Sequence, residues 1–509
     1  MNSPFSRIGV VGAGAMGRGI VQLYAQCGHA VVLYDAQEAA IDAALAHLRD
    51  TFNRLAEKGR MTPEKAQAAI GHITAAGSLQ DLAGCDLVIE AIVERLDVKR
   101  EIFIALEEIV GPDCVLASNT SSLSITAIAA ACEHPARVAG YHFFNPVPLM
   151  KVVEVVRGPR TSADVVDRLV EVSKVAGHTP VVCQDTPGFI VNHAGRGFGP
   201  ESLRVLHEGV AEVPVIDRLL REQVDIGGQG FKLGPFELMD LTGLDVSHPV
   251  MESIYHQYYE EPRYKPSVIG AQRVAAGLYG RKTGEGFYRH AGGAQQTPAE
   301  PPAPVLPAGL RVWVAPGEAR DAVRELVEGL GAALDDGAEP AADSLIVVAP
   351  MGLDATTASQ GLDATRVVAL DTLFPFGLRA CKRRAIMATP ATLPAVREAA
   401  HALFAADGAR VGLLRDSAGF VAQRVVAMIV AIGCDIAQQR VASPADIDVA
   451  VRLGLGYPMG PLAMGDAIGP RRIVEILAGM HRVTGDPRYR PGLWLQRRAQ
   501  LGLSLLHED

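Results

Sequence analysis

The sequence predicts an α/β domain with a parallel sheet, followed by an all-α domain, with the whole unit repeated in degenerate form. A strand, a glycine-rich turn and a helix follow one another from residue 7, an order typical of the start of such a sheet. A helical pattern begins after residue 186, and the second half of the chain resembles the first. With 509 residues, 49% of them hydrophobic, the chain can form about three or four domains.

The glycine-rich turn lies within RIGVVGAGAMGRGI, residues 7–20. Gly12 allows a tight turn, Gly14 lets the backbone approach a pyrophosphate, and Gly17 lets the helix pack on the strand. The next strand, in GHAVVLYDA, ends at Asp35, where a carboxylate can bind both ribose hydroxyls and repels a 2′-phosphate. This order of strand, glycines, helix, strand and acid predicts a Rossmann-type domain that binds NAD rather than NADP.

Other polar residues follow later predicted strands. CDLVIEAIVERLDVKREIF carries Glu90, Glu94 and Lys99, and DCVLASNTSSLSI ends in a cluster of Ser, Asn and Thr. Ligands bind at the carboxyl ends of strands in an open parallel sheet, although hydroxyls there are at least as often helix caps. Residues 38–72 predict two helices with a basic cluster on a solvated face.

A histidine and a glutamate occur in two strand-like apolar runs within GYHFFNPVPLMKVVEVV, residues 140–156. Taken alone, His142 and Glu154 are more typical of a hydrogen-bonded core histidine and an edge-strand carboxylate than of a catalytic site. In CQDTPGFIVN, Asp185 and Thr186 are predicted to cap a helix that begins near Pro187.

Composition narrows the class of function. The net charge of −9 includes no long basic run, so nucleic acid is an unexpected partner. The seven scattered cysteines form no CxxC pair, which predicts a reducing cytoplasm and no metal site. No apolar run is expected to span a bilayer, and the first strand begins by Ile8, which leaves no room for a targeting segment. We therefore expect a soluble, cytoplasmic protein without membrane partners.

The second half resembles a copy of the first in which the candidate catalytic residues have been replaced. RVVALDTLFPFGLRACKRRAIM aligns with RVAGYHFFNPVPLMKVVEVV, and LRDSAGFVAQRVV aligns with CQDTPGFIVNHAG. His142, Glu154 and Asn192 of the first half are replaced, in the same order, by Asp371, Arg383 and Gln423. The opening strand LRVWVAPGEARDAV lacks the three glycines, so the copy is predicted to bind no NAD and to catalyse nothing.

The repeat and a proline-rich segment predict the domain boundaries. The predicted parts are the NAD-binding Rossmann domain (1–185), a helical domain (186–290), a linker with five prolines (291–309), a degenerate Rossmann-like repeat (310–415) and a second helical domain (416–509). The second helical domain is expected to pack on the first within the chain, as a partner subunit would. Such an intrachain pseudo-dimer could still associate into a further homo-oligomer.

Taken together, the motifs resemble those of the L-3-hydroxyacyl-CoA dehydrogenases. GAGAMG, EAIVE, SNTSSL, HFFNPVPLMKVVEVV, DTPGFIVN and GRKTGEGFY occur in the expected order between residue 7 and about residue 290. The resemblance implies reversible oxidation of (S)-3-hydroxyacyl-CoA to 3-oxoacyl-CoA with NAD. It implies that His142 is the acid/base, that Glu154 orients it, and that Ser121 and Asn192 bind near the substrate oxygen.

The same resemblance implies the binding residues. Those for NAD would be Gly12, Gly14, Ala15, Met16, Gly17, Asp35, Glu94, Lys99, Asn119, Asn145 and Lys282. Those for coenzyme A would be Thr51, where the family has a serine, and Lys58.

Two alternatives stay open on sequence alone. Relatives of this fold act on free hydroxy or sugar acids, and others are non-catalytic, crystallin-like NAD-binding proteins. The long, fused form suggests fatty-acid or phenylacetate-type aromatic breakdown, and a dicarboxylic substrate such as 3-hydroxyadipyl-CoA is plausible. Arg196, which follows Asn192 closely, could then bind a distal carboxylate, although an ordinary helix-surface arginine is the simpler interpretation.

Overall fold

A computed structural model describes residues 3–509 as two compact units. The first unit consists of the chain up to His193 together with Gln439–Leu455, and the second consists of Ala194–Gln438 and Gly456–Asp509. A short segment of the second half of the chain therefore belongs to the first unit.

The strands are β1 (Arg7–Val11), β2 (Ala30–Tyr34), β3 (Ile73–Ala75), β4 (Leu87–Glu90), β5 (Val115–Ser118), β6 (Val138–Phe143), β7 (Val152–Arg157), β8 (Thr179–Gln184), β9 (Arg289–Ala291), β10 (Ala294–Gln296), β11 (Arg311–Val314), β12 (Ala333–Leu334), β13 (Leu345–Val348), β14 (Val367–Leu370), β15 (Arg383–Ala388) and β16 (Arg410–Leu414).

The helices are α1 (Ala15–Gln26), α2 (Glu38–Glu57), α3 (Pro63–Gly71), α4 (Leu96–Ile109), α5 (Ile125–Ala129), α6 (Ala163–Val175), α7 (Val191–Ala194), α8 (Gly199–His207), α9 (Val213–Arg218), α10 (Pro235–Thr242), α11 (Leu244–Gln257), α12 (Val268–Ala275), α13 (Arg320–Gly329), α14 (Ala355–Ala358), α15 (Pro394–Phe404), α16 (Val421–Gln438), α17 (Pro444–Leu455), α18 (Pro461–Ile468), α19 (Pro470–Thr484) and α20 (Leu493–Leu501). A π-helical turn, Leu219–Gln223, follows α9.

The first unit contains an eight-stranded sheet in the order β3-β2-β1-β4-β5-β6-β7-β8. All its pairings are parallel except that between β6 and β7. The residues of β4, β5 and β6 are all buried, as expected when helices cover both faces of a parallel sheet. The predicted Rossmann-type domain is confirmed, and so are the two helices predicted for residues 38–72, which are α2 and α3.

The second unit contains a shorter sheet that ends, like the first, with an antiparallel pair of strands followed by one more parallel strand. Its order is β12-β11-β13-β14-β15-β16, and only the β14–β15 pairing is antiparallel. Six strands replace eight because this copy has no counterpart of α2, α3 and the strand β3 that follows them, or of one further strand–helix step. The degenerate repeat predicted from the sequence is thus present in shortened form.

In both copies, an aspartate caps a short helix that lies earlier in the chain, and this corrects a prediction. Asp185 accepts hydrogen bonds from the N–H groups of Ile125 (3.0 Å) and Thr126 (2.7 Å), at the start of α5. Asp416 binds the start of α14 in the same way, through Ala355 N (2.7 Å). The prediction that Asp185 caps the helix following it was therefore wrong, because its carboxylate serves a helix that lies earlier in the chain.

The second unit also contains most of both helical segments of the repeat, and a buried ion-pair network joins them. Arg424 on α16 donates to Glu201 Oε1 (2.8 Å) and Glu208 Oε2 (2.6 Å), which lie on α8 and at its end. Arg488 donates to the other oxygen of Glu201 (3.1 Å). Helical segments from the two halves are thus packed together within one unit.

Helix α16 requires a second correction. It is long and apolar enough to span a membrane by composition alone, which the sequence analysis did not expect. In the structure, 89% of its residues are buried inside the protein, as in a core helix.

The predicted linker is only partly irregular. An antiparallel pair, β9 and β10, extends into its first residues, and Glu300 forms ion pairs with Arg218 and Arg383 of the second unit. The seven cysteines are all free thiols. Within residues 3–509, no cluster of His, Cys, Asp and Glu has the size of a metal site.

Candidate active site

The glycine-rich turn between β1 and α1 has the shape that a dinucleotide requires. Gly12 has φ of 110°, and a Cβ there would lie 2.5 Å from Ala91 O. A Cβ at Gly17 would lie 1.8 Å from Gly12 O, so both positions exclude other residues. Gly14, by contrast, faces open space at the N-terminus of α1, where Ala15 and Met16 form the first turn.

Asp35 closes this turn from the end of β2. Its Oδ2 accepts the N–H of Ala13 (2.8 Å), and its Oδ1 accepts the N–H of Gln37 (2.9 Å). The carboxylate is half-buried, so it can also reach a ligand. A helix N-terminus beside an open glycine, with a fixed acid at the next strand, fits a pyrophosphate and a ribose.

A buried lysine, Lys99 on α4, lies at the end of β4. The Lys99 ammonium lies 2.6 Å from Glu90 Oε1 and 3.4 Å from Glu94 Oε2. Glu90 also accepts from Ser118 Oγ (2.7 Å), so its lone pairs are used by the protein. The sequence suggested Lys99 as an NAD contact, but the structure gives it two carboxylate partners, and its contact with NAD stays a prediction.

Glu94 organises the loop after β5. It accepts from Thr120 Oγ1 (2.6 Å) and from the N–H groups of Ser121 (3.0 Å) and Ser122 (3.1 Å). Burial alone would raise the pKa of Glu94, but Lys99 and these donors lower it below its ordinary value. The Ser/Asn/Thr cluster is thus held by an anionic side chain.

Asn119 connects that loop to β6. Its Oδ1 accepts the N–H of Phe143 (2.8 Å), the residue next to His142. Asn145 lies beyond the end of β6 and is exposed.

His142 and Glu154 are cross-strand partners in the antiparallel β6–β7 pair. His142 Nδ1 lies 2.6 Å from Glu154 Oε2, and Glu154 is fully buried. Because an ionised carboxylate can only accept, Nδ1 carries the proton of this bond and Nε2 is left for a reacting group. Phe144 and Phe189 pack around the imidazole, with ring centroids 4.4 and 5.8 Å away.

The second oxygen of Glu154 has a role that the sequence did not indicate. Glu154 Oε1 accepts the N–H groups of Ile190 and Val191, each at 2.9 Å, at the start of α7. The carboxylate therefore caps the helix that was predicted to be capped by Asp185. Asn192 follows directly, and its Nδ2 donates to Ser121 O (3.3 Å). Contacts through Glu154 and Val191 therefore connect His142 with Asn192 and Ser121.

Comparison with known proteins identifies the family. Residues 7–186 match the family model of the 3-hydroxyacyl-CoA dehydrogenase NAD-binding domain. Residues 188–290 and again 419–504 match that of the 3-hydroxyacyl-CoA dehydrogenase C-terminal domain. The chain belongs to the 3-hydroxyacyl-CoA dehydrogenase family. It is an NAD-dependent dehydrogenase, which excludes the crystallin-like alternative.

Individual relatives agree. The chain is 37% identical to the 3-hydroxyadipyl-CoA dehydrogenase of Escherichia coli over 97% of each sequence. It is 42% identical to a probable 3-hydroxybutyryl-CoA dehydrogenase of Deinococcus radiodurans, over 56% of this chain and all of that one. A crystal structure of 3-hydroxybutyryl-CoA dehydrogenase from E. coli K12 superposes with a TM-score of 0.84 at 34% identity, covering 98% of this chain and 99% of that one.

The remaining predicted residues of the dehydrogenase lie on three elements. Thr51 and Lys58 are on and at the end of α2, half-buried and exposed respectively. Lys282 belongs to the second unit, where it forms an ion pair with Asp245. Their contacts with coenzyme A and NAD stay predictions. Arg196 is buried rather than on a helix surface, so the simpler interpretation given above was wrong, and burial lowers the pKa of Arg196 to about 10.

The equivalent centre of the degenerate copy is occupied by its own side chains. Asp371, at the position of His142, accepts from Gln423 Nε2 (2.9 Å) and Gln223 Nε2 (2.8 Å). Asp371 is buried, and burial raises its pKa. Arg383, at the position of Glu154, forms ion pairs with Glu222 and Glu300. No proton-exchanging imidazole lies in this described centre.

Proposed function

We propose that the protein oxidises (S)-3-hydroxyacyl-CoA to 3-oxoacyl-CoA with His142 as the acid/base and Glu154 as its orienting carboxylate. The observation that carries this proposal is the 2.6 Å contact between His142 Nδ1 and Glu154 on directly paired strands. A histidine is suited to the role because it can take and return a proton near neutral pH.

In the proposed mechanism, each residue has a definite task. His142 Nε2 accepts the proton of the substrate hydroxyl, and Glu154 stabilises the resulting imidazolium. The amide of Asn192 and the hydroxyl of Ser121 bind the substrate oxygen as its charge changes. NAD held by the glycine turn and Asp35 would supply the acceptor for the hydride that leaves the same substrate carbon.

The glycine turn, Asp35 and the loop held by Glu94 would bind the cofactor. The absence of a side chain at Gly14 leaves space for the pyrophosphate, and Asp35 favours an unphosphorylated ribose. Asn119, Asn145, Lys99 and Lys282 are further proposed contacts. Thr51 and Lys58 lie seven residues apart, two turns along α2, so both can face one coenzyme A tail.

We also propose an intrachain pseudo-dimer in a cytoplasmic enzyme of acyl-CoA breakdown. The buried pairing of Glu201 with Arg424 supports the first part, since it joins helical segments from the two halves. The relatives named for 3-hydroxybutyryl-CoA and 3-hydroxyadipyl-CoA support a role in fatty-acid or phenylacetate-type catabolism.

A substrate panel tests the reaction. Purified enzyme should reduce NAD with 3-hydroxyacyl-CoA thioesters and should use NADP at least tenfold less well, because Asp35 repels the 2′-phosphate. Acetoacetyl-CoA should be reduced far faster than free acetoacetate. Equal rates on these two compounds would favour the free hydroxy-acid alternative.

The acyl group is tested by a matched pair of substrates. We propose a dicarboxylic substrate, supported by the relative named for 3-hydroxyadipyl-CoA. Arg196 is proposed to bind its distal carboxylate. Replacing Arg196 by Met should reduce kcat/KM for 3-hydroxyadipyl-CoA by about tenfold more than for 3-hydroxyhexanoyl-CoA, since a charge-assisted hydrogen bond would be lost. Equal losses on both would remove Arg196 from substrate recognition.

A further inference from the structure

A helix from the non-catalytic half is part of the compact unit that contains His142. Residues Gln439–Leu455 group with the first unit, and α17 within them packs on β7 and β8. The backbone joins there as well, because Gln184 N at the end of β8 donates to Val441 O (2.8 Å). The strand that carries Glu154 is therefore covered by a segment from the other half of the chain.

The end of α17 lies against the residue that binds Glu154. A Cβ at Gly454 would be 2.9 Å from both Cγ atoms of Val191, closer than real Cβ contacts. Val191 is buried and β-branched, so its side chain has little freedom to move. Its N–H is one of the two donors to Glu154. Only glycine at position 454 permits this approach without a shift of Val191 or of α17.

The degenerate copy shows what a side chain at this position does. The segments VIDRLLREQ (215–223) and DIDVAVRLG (446–454) align, which pairs Gln223 with Gly454. In the second unit, the turn that ends at Gln223 packs on β15, and Gln223 donates to Asp371 (2.8 Å). The copy without an imidazole thus has a long side chain where the copy with His142 has none.

We propose that Gly454 is a positioning residue for the catalytic pair. By seating α17 directly on Val191, it keeps the Ile190 and Val191 N–H groups on Glu154 and so fixes the orientation of the His142 ring. Gly454 touches no reacting atom and acts through Val191. The proposal rests on the roles proposed for His142 and Glu154, and it makes the half without chemistry necessary for turnover in the other half.

The test uses full-length Gly454→Ala and Gly454→Val. Alanine favours a helix more than glycine does, so a loss of activity would not reflect weaker helix formation. We expect kcat to fall about tenfold in Gly454→Ala and further in Gly454→Val, since small misplacements of a catalytic group are costly. The KM for NAD should change less than about twofold, because the glycine turn is not displaced.

A second substitution separates positioning from general damage. Val191→Ala removes both Cγ atoms but keeps the N–H, so Gly454→Ala combined with Val191→Ala should regain most of the turnover lost by Gly454→Ala alone. Arg452→Ala, an exposed change on the same helix, should leave kcat unaltered. Full turnover in Gly454→Ala, or no recovery in the double variant, would overturn the proposal.

Failure of this inference is distinguishable from failure of the proposed function. If His142→Gln keeps near-normal turnover, the mechanism itself is wrong. If His142→Gln is inactive while Gly454→Ala is fully active, only the role of Gly454 is lost.

Discussion

The centres of the two copies of the repeat differ, although the strands around them are arranged alike. In the first unit, the antiparallel pair β6–β7 places His142 beside Glu154. In the second, the corresponding pair β14–β15 carries Asp371, whose carboxylate is bound by Gln423 and Gln223. The first centre leaves an imidazole nitrogen for a reacting group. In the second centre, the carboxylate oxygens of Asp371 are already hydrogen-bonded to side chains of the protein.

The contacts that both copies retain are those that hold the backbone together. Asp185 binds the first N–H groups of α5, and Asp416 binds those of α14, which is the corresponding short helix of the second copy. An unpaired buried amide costs free energy in any fold, so this aspartate is useful whether or not chemistry takes place. The second copy thus keeps this backbone contact, and its helix α17 packs on β7 and β8 of the first unit.

The largest effect is expected from removing the imidazole of the catalytic copy. His142→Gln should lower kcat by about a hundredfold or more while leaving NAD affinity nearly unchanged, because in the proposed mechanism the ring exchanges the proton and does not hold the cofactor. Steady-state kinetics and NAD titration measure the two quantities.

The matched control lies in the other copy. Asp371→Asn keeps the shape and can still bind Gln423, so turnover should stay within about twofold of the wild type. A large loss of turnover in Asp371→Asn would contradict the view that the second centre is not catalytic.

The second-largest effect, on NAD affinity, should distinguish the turn after β1 from the turn after β11. Gly14 has φ of −67° and ψ of −172°, which valine can adopt, and a Cβ there meets nothing within 4 Å. Gly14→Val should therefore fold normally but bind NAD about tenfold or more weakly, since its side chain enters the space for the pyrophosphate. Isothermal titration and thermal unfolding measure these effects.

A control in the turn after β11 is Gly317→Val, where an added Cβ likewise meets nothing within 4 Å. It should leave NAD affinity unaltered, because that turn lacks the glycine pattern. Weaker NAD binding in Gly317→Val would mean that the degenerate copy takes part in cofactor binding.

A third change should affect stability without affecting chemistry. Arg383 is buried and paired with Glu222 and Glu300. Arg383→Met leaves Glu222 without this partner, while Glu300 keeps Arg218, and should lower the free energy of unfolding of the second unit by about 3 kcal/mol. Urea unfolding should report the loss, with kcat per folded molecule unchanged. An equal fall in kcat would show that Arg383 acts on the reaction.

The smallest effect concerns pH. Burial raises the pKa of Asp217 to about 7, against the hydrogen bonds from Tyr288 and Phe236. Because the folded pKa exceeds the unfolded value of 3.8, the stability that this group contributes is fully present below about pH 4. It is lost as the pH rises through about 7.

The Asn variant tests this dependence. Asp217→Asn cannot ionise, so its unfolding free energy should decline less between pH 4 and 7 than that of the wild type. Urea unfolding at several pH values measures both slopes. Identical slopes would show that Asp217 does not titrate in this range.

Local patterns predicted much of the site. The spacing of Gly12, Gly14 and Gly17 predicts a tight turn, because such a turn depends only on residues close together in the chain. The structure confirms its geometry. His142 and Glu154 were recognised as a pair through the resemblance to the L-3-hydroxyacyl-CoA dehydrogenases, and the structure places them opposite each other on β6 and β7. The pairing of Lys99 with Glu90 and the burial of Arg196 were not predicted, because both depend on packing between elements that leave no periodic trace.

By itself, the sequence determined the order of strands and helices, the cofactor turn, the repeat and the replacement of His142 and Glu154 in its second copy. Each of these features depends on residues close together along the chain. Tertiary structure alone decided that Glu154 caps α7, that Asp185 caps α5, and that α17 covers the strand bearing Glu154. These contacts join residues far apart in the chain. Their free energy comes from burial and from hydrogen bonds completed only after the sheet has formed.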